Sequence, residues 1–206
     1  MTHLFDNGRT EIACAGARFI LIERWAPGPL IGYLGMNPSR AGEFTSDPSF
    51  QRFNGFARRW GFSGTIWANL LPFRSSKPDE ALAALRRAIV DRDSPENGLL
   101  VRNLDEITQH RCLAALWMAG WGNGGEAFDK LSPALILDVT GVIEGDDRTE
   151  HPMVAFGLTG EPRAAPKHVL ARGLHRIPDD ASVYAFDPLM RTLGDPLAMP
   201  WSPRHG

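Results

Sequence analysis

Apolar and polar positions along the chain follow two rhythms, one suited to strands and one to helices. Residues 30–36 are apolar on both faces, as in a parallel strand covered on each side. Asn37-Pro38-Ser39 ends that run, because proline lacks the N–H a ladder needs and restricts the residue before it. Upstream, residues 17–25 carry the β-branched and aromatic content of a strand. The Pro27-Gly28-Pro29 turn joins the two, which predicts an antiparallel pair at a sheet edge. Asp47-Pro48 then reads as a cap and first helical position, followed by Phe50, Phe53, Phe56, Ala57 and Trp60 at helical spacing and a stop at Gly61.

Residues 64–71 form the next apolar run, closing on the polar loop 69–74. Pro78 opens a helix with Leu82, Leu85 and Ile89 on one face, and residues 99–107 read as a further amphipathic helix. A third buried strand over 112–118 runs into the glycine-rich segment 120–125. Pro133 breaks any helix near it, and 134–139 fits helix or strand. Residues 145–150 make an acidic loop, 153–158 a fourth apolar strand, and 159–172 a basic, proline-rich loop. Beyond Pro178 the only strand candidate is 183–186.

Strands alternating with helices predict a single α/β domain over residues 1–206, a three-layer α/β/α sandwich with a central, mostly parallel sheet. In such a sheet ligands bind at the carboxyl ends of the strands. Four polar loops are therefore expected on one edge: Asn37-Pro38-Ser39, the segment from Asn69 to Arg74, Trp121-Gly122-Asn123, and Pro166-Lys167-His168.

Composition narrows the classes. A formal net charge of -2 argues against a general polyanion binder, though not against a local basic surface. Cys14 and Cys112 lie far apart, which suggests a reduced protein without a disulfide framework. No apolar run approaches membrane-spanning length and residues 1–9 lack an apolar signal region, so a soluble, cytoplasmic protein is expected, with no membrane and no obligate protein partner. His151 and His175 show no ligand spacing, so neither metal nor cofactor is expected.

Leu34-Gly35-Met36-Asn37-Pro38, then Trp67-Ala68-Asn69-Leu70-Leu71 with Arg74, then the run from Leu116 to Asn123, then Pro166-Lys167-His168 resemble, in this order, the motifs of the uracil-DNA glycosylase superfamily. A closer resemblance, over about residues 18–172, is to the uncharacterised DUF1643 family. It is carried by Met36-Asn37-Pro38-Ser39, Asp47-Pro48, Gly55 to Gly61, Asn69 to Arg74, Pro95-Glu96-Asn97, Trp121-Gly122-Asn123, Gly157-Leu158-Thr159 and Pro166-Lys167-His168. The DUF1643 likeness names no activity, so function follows from the glycosylase likeness. That likeness implies hydrolysis of the N-glycosidic bond of a nucleobase in DNA, without a cofactor. The chain departs from the pattern where Val169 follows His168, where extra residues lie between Thr159 and Pro166, and where Asn37 stands in place of an aspartate.

Such hydrolysis passes through an oxocarbenium-like sugar and a departing base anion, and needs a held water, base contacts and a donor to the leaving base. The resemblance makes Asn37 the water holder and His168 the donor, as the catalytic pair. Asn69 would read the base, with Pro38, Ser39, Tyr33, Phe44, Arg74, Trp121, Asn123 and Lys167 around the substrate. From the residues alone, Asn69 fits equally an amide that ties down loop backbone, and His168 fits a solvated loop histidine. Phe50 and Phe53 sit on a helical stripe and are expected in the core, and Asp47 is expected as a cap. Arg40, Arg52, Arg74, Arg163, Lys167 and Arg172 would form a basic rim for DNA phosphates, although Arg52, Arg58 and Arg59 also fit the solvated face of one helix. Two rivals stand beside the glycosylase: a non-catalytic nucleotide- or nucleic-acid-binding module, and an enzyme on free nucleosides or nucleotides.

Overall fold

The computed structural model describes residues 8–39, 48–75, 77–122, 130–132, 134–145, 151–158 and 177–199. Its strands are β1 (Gly8–Cys14), β2 (Ala17–Arg24), β3 (Leu30–Gly35), β4 (Gly64–Asn69), β5 (Ala114–Ala119), β6 (Met153–Ala155), β7 (Val183–Asp187) and β8 (Thr192–Leu197). They form one mixed sheet in the order β1-β2-β4-β3-β5-β6-β7-β8. The four central strands, β4, β3, β5 and β6, run parallel; β1 and β2 on one flank and β7 and β8 on the other run antiparallel to their neighbours.

Every residue of β3 and β4 is buried, as strands apolar on both faces require. Helix α1 (Pro48–Arg59) covers one face, where Phe50, Phe53, Phe56 and Ala57 meet Leu21, Ile31, Tyr33, Trp67, Leu116 and Met118. The other face packs against α2 (Pro78–Val90), α3 (Pro95–His110) and α4 (Leu135–Glu144), through Leu85, Ile107, Ile136 and Val139 against Leu30, Leu34, Ile66 and Trp117. Helix α1, which carries the chain from β3 to β4, lies on the opposite face from the pair α2 and α3, which carries it back past β3 to β5, as crossovers of one hand on either side of β3 require. The direction of winding reverses between β3 and β5, and the crevice at their carboxyl ends is where an open α/β sheet binds ligands.

Several expectations change. The sheet is mixed rather than mostly parallel, because hairpins close both flanks. Strands β2 and β3 are not paired: β4 lies between them. The joint explains it, since Pro27 and Pro29 have no N–H to build a hairpin ladder. Ser63, at the entry to β4, takes their place, accepting from Trp25 N and Ala26 N at 3.0 and 3.2 Å and donating to Pro29 O at 2.9 Å. β1 and β8 carry exposed, glycine- or proline-bearing edge patterns that give little apolar signal. Helix α3 begins earlier than its apolar stripe, at Pro95, where the Ser94 side chain caps it by accepting from Asn97 N. Residues 111–113 form a 3-10 turn rather than the start of a strand, which leaves Cys112 exposed. The ambiguous 134–139 segment lies at and within the start of α4. Among the described residues no helix is long and apolar enough to cross a membrane.

Candidate active site at the carboxyl ends of the central strands

On the α1 face, Trp67, Tyr33 and Met118 lie side by side on β4, β3 and β5. One step towards the carboxyl ends, the same face presents Asn69, Gly35 and Gly120. Both glycines make room for their neighbours. A Cβ at 120 would sit 2.3 Å from the Tyr33 hydroxyl, and one at 35 would sit 2.8 Å from Asn69 Oδ1 and 3.3 Å from the Tyr33 ring. Tyr33 uses that room to lean along the sheet and donate its hydroxyl to Gly120 O at 3.0 Å. Its ring rests on Trp67 and Phe53, with centroids 4.3 and 4.8 Å away, so it is a rigid floor. Phe50 and Phe53 are core residues beneath it.

The Asn69 carboxamide lies over Gly35 beside this floor. Asn69 is only 5% exposed, yet its side chain makes no hydrogen bond with any described residue. Neither polar atom of that carboxamide is among the fully buried, unpartnered ones, so the amide stands open to water and to a ligand. The edge of a nucleobase offers the matching pattern, a donor next to an acceptor.

Asn37 is organised differently. Its Nδ2 donates to Ser75 O at 2.8 Å and Pro38 O at 3.2 Å, while Ser75 N donates to Pro38 O at 2.9 Å. Two carbonyls accept from one amide nitrogen, so the orientation of the carboxamide is set and Oδ1 is its remaining acceptor. The loop after β3 is thus laced to the loop after β4, with Leu70 N on Gly35 O and Leu71 N on Met36 O, each at 2.9 Å. Pro38 is buried and Ser39 half-buried in this lacing.

The other expected site residues divide. Arg74 is ion-paired with Glu11 of β1 at 2.6 Å, and Arg52 is held by Ile177 O and, at 2.6 Å, by Asp179. Arg58 lies over the Trp25 ring at 3.8 Å, and Arg59 shares Asp179 at 3.1 Å. The basic rim is therefore tied into the fold as far as the described residues reach. Trp121 lies on the opposite sheet face from Tyr33, 3% exposed and edge-on to Phe186 at 5.9 Å, with Nε1 unpartnered among the described residues. The two rings do not line one pocket. Phe44, Asn123, Lys167 and His168 lie outside the described residues, as do Arg40, Arg163 and Arg172 and the cap residue Asp47.

A family described as a protein of unknown function, DUF1643, matches residues 18–168. The chain belongs to the DUF1643 family. No curated protein and no solved structure matches it. The DUF1643 match spans β2 to β6 and so takes in every strand end described above.

Two residues of this DUF1643 site escaped the sequence reading. Ser75 supplies the carbonyl that anchors Asn37, and its Oγ bonds Glu80 at 2.8 Å; nothing in a serine after an arginine announces this. Asn103, 1% exposed, reaches from α3 to donate to the backbone carbonyl of Asn69 at 3.0 Å. Its signal was available: Leu99, Asn103 and Ile107 share one helical stripe, and a carboxamide there has to find a buried partner. Beyond Ser75, on the side of α2 and α3, lies a cleft of about 530 Å³ between Gly16, Arg74, Ala84, Arg87 and Glu96. Arg74 and Arg87, its cations, are each ion-paired, Arg87 with Glu96 at 2.6 Å. Among the described residues no three of His, Cys, Asp and Glu stand together as a metal site.

Proposed function

We propose that this DUF1643 protein binds a nucleobase at the carboxyl ends of β3, β4 and β5 and hydrolyses its N-glycosidic bond in DNA. One observation carries the reading: the Asn69 carboxamide, which hydrogen-bonds no described residue, lies beside the Tyr33 floor at the carboxyl ends of the central strands. Helices on both faces of four parallel strands also support taking the fold as the α/β/α sandwich of the uracil-DNA glycosylase superfamily, which the order of the motifs suggested.

In this reading the flipped base lies over Tyr33 and pairs its edge with the Asn69 amide. Asn37 Oδ1 accepts a hydrogen bond from one water and so aims the water oxygen at C1′. As the C1′–N bond lengthens, charge builds on the base and positive charge on the sugar; the water oxygen then bonds C1′ and its proton is lost to solvent. A neutral amide positions this water without deprotonating it, so the step relies on an early departure of the base. His168 is the donor to that base in the same reading.

The test is an abasic-site assay on single- and double-stranded oligonucleotides carrying uracil, hydroxymethyluracil, hypoxanthine or modified cytosines, followed by alkali. Strand breaks at one base that fall by about a hundredfold in Asn37→Ala and in Asn69→Ala are expected. The tethering of Asn37 to two carbonyls favours a second reading, base binding without turnover. Retained binding with no breaks in the wild type would select it. No breaks and no binding of DNA would redirect the site to free nucleosides or nucleotides.

A further inference from the structure

Strand β4 pairs with β2 as far as Leu21 opposite Trp67 and meets it again where Ala17 bridges Phe73. Three residues of β2 between these pairs thus face five of the opposite segment, and the surplus of two buckles that segment around Asn69, Leu70 and Leu71. The ladder turns the backbone groups of Leu70 towards β3, where its N–H finds Gly35 O, and those of Asn69 towards β2. Asn69 lies beyond the last β2–β4 pair of the register, Leu21 with Trp67. Its carbonyl instead accepts from Asn103 Nδ2 at 3.0 Å. Asn103 makes this bond from the middle of a buried stripe on α3, and its own Oδ1 has no partner among the described residues. Leucine would fill such a position without an orphaned acceptor, so the bond to Asn69 is what the carboxamide contributes there.

We infer that Asn103 is a positioning residue for base recognition: by holding the Asn69 peptide at its carbonyl, from the far face of the sheet, it sets the direction in which the Asn69 carboxamide meets a base. This rests on the base-reading site proposed above. Asn103 touches no substrate, and its effect passes wholly through Asn69.

The test compares affinities for two single strands that differ at one position, one carrying a 2′-fluoro nucleotide with uracil, hydroxymethyluracil or hypoxanthine, the other a tetrahydrofuran abasic analogue. The fluorine blocks turnover by disfavouring the oxocarbenium ion, and the ratio of the two affinities isolates what the base contributes. A merely structural loss lowers both affinities and leaves the ratio alone. Asn103→Leu, uncharged and of similar volume, and Asn103→Asp, which replaces the donor with an acceptor, are each expected to lower the ratio about tenfold. In an Asn69→Ala background neither should lower it further, because the partner through which they act is gone. An unchanged ratio in whichever variant melts like the wild type would overturn the role of Asn103 and leave the site standing. A wild-type ratio near one for every base would overturn the site and the role together.

Discussion

Gly32 and Gly35, three residues apart on β3, carry different consequences. A Cβ at Gly32 would lie 2.2 Å from the Trp117 ring, whose position is fixed across the sheet, so Gly32→Ala is expected to cost about 3 kcal/mol in urea unfolding. At Gly35 the nearest atom is the end of the Asn69 side chain, 2.8 Å away, which can swing aside. Gly35→Ala should therefore cost only about 1 kcal/mol of stability while removing base-dependent binding, read as the ratio of affinities for base-containing and abasic strands. Asn37 gives the third residue-scale expectation. In Asn37→Asp a carboxylate would face the Ser75 and Pro38 carbonyls, both of which now accept from Nδ2. The loss at neutral pH should be about 2 kcal/mol. The misplaced carboxyl would titrate above its unfolded value of about 3.9, so the variant's deficit against the wild type should be smallest below that value and grow as pH rises through the raised folded value. Parallel urea titrations at acid and neutral pH check the sign.

Among the elements, those whose signal is local were legible and those whose place depends on distant partners were not. Helix α1 could be read from Asp47-Pro48 and its phenylalanine stripe, and α2 from Pro78. The pairing of β2 was misjudged because Ser63, thirty-odd residues away, supplies the hydrogen bonds that the prolines of the joint cannot. Asn37 and Asn69 were legible as strand-end amides. What each does depended on Ser75 and Asn103, which local pattern leaves silent. The junction of α2 and α3 has its own electrostatic signature. Arg87 Nε donates to Glu96 Oε1 at 2.6 Å, and this bond, with help from a backbone N–H in the first turn of α3, holds the Glu96 carboxyl below the usual carboxylate range. A depressed folded value means the pair's contribution is present above the unfolded value and lost as pH falls through the folded one. In Arg87→Ala the Glu96 titration, followed by NMR, should return towards the ordinary range, and a midpoint that does not move would contradict the assignment.

At the scale of the molecule, the parallel centre gives the sheet the kind of edge at which open α/β sheets bind ligands, and the antiparallel hairpins close its flanks. β1 also anchors the site from outside, since Glu11 holds Arg74 and Arg9 sits over the Phe50 ring at 4.5 Å, where burial pulls its pKa down. The fold class was legible because apolar runs and helix starts alternate. The flanking hairpins were not, because edge strands carry little apolar signal. The central claim is that the Asn69 amide reads a base. It is tested most directly by following the Asn69 side-chain NH₂ signals, assigned through Asn69→Ala, in ¹⁵N–¹H spectra as nucleosides and base-bearing oligonucleotides are added. Saturable shifts of that pair with one base, while the Asn97 amide bonded to Ala88 O stays still, are the predicted result. Asn69 signals that no base moves would contradict the account.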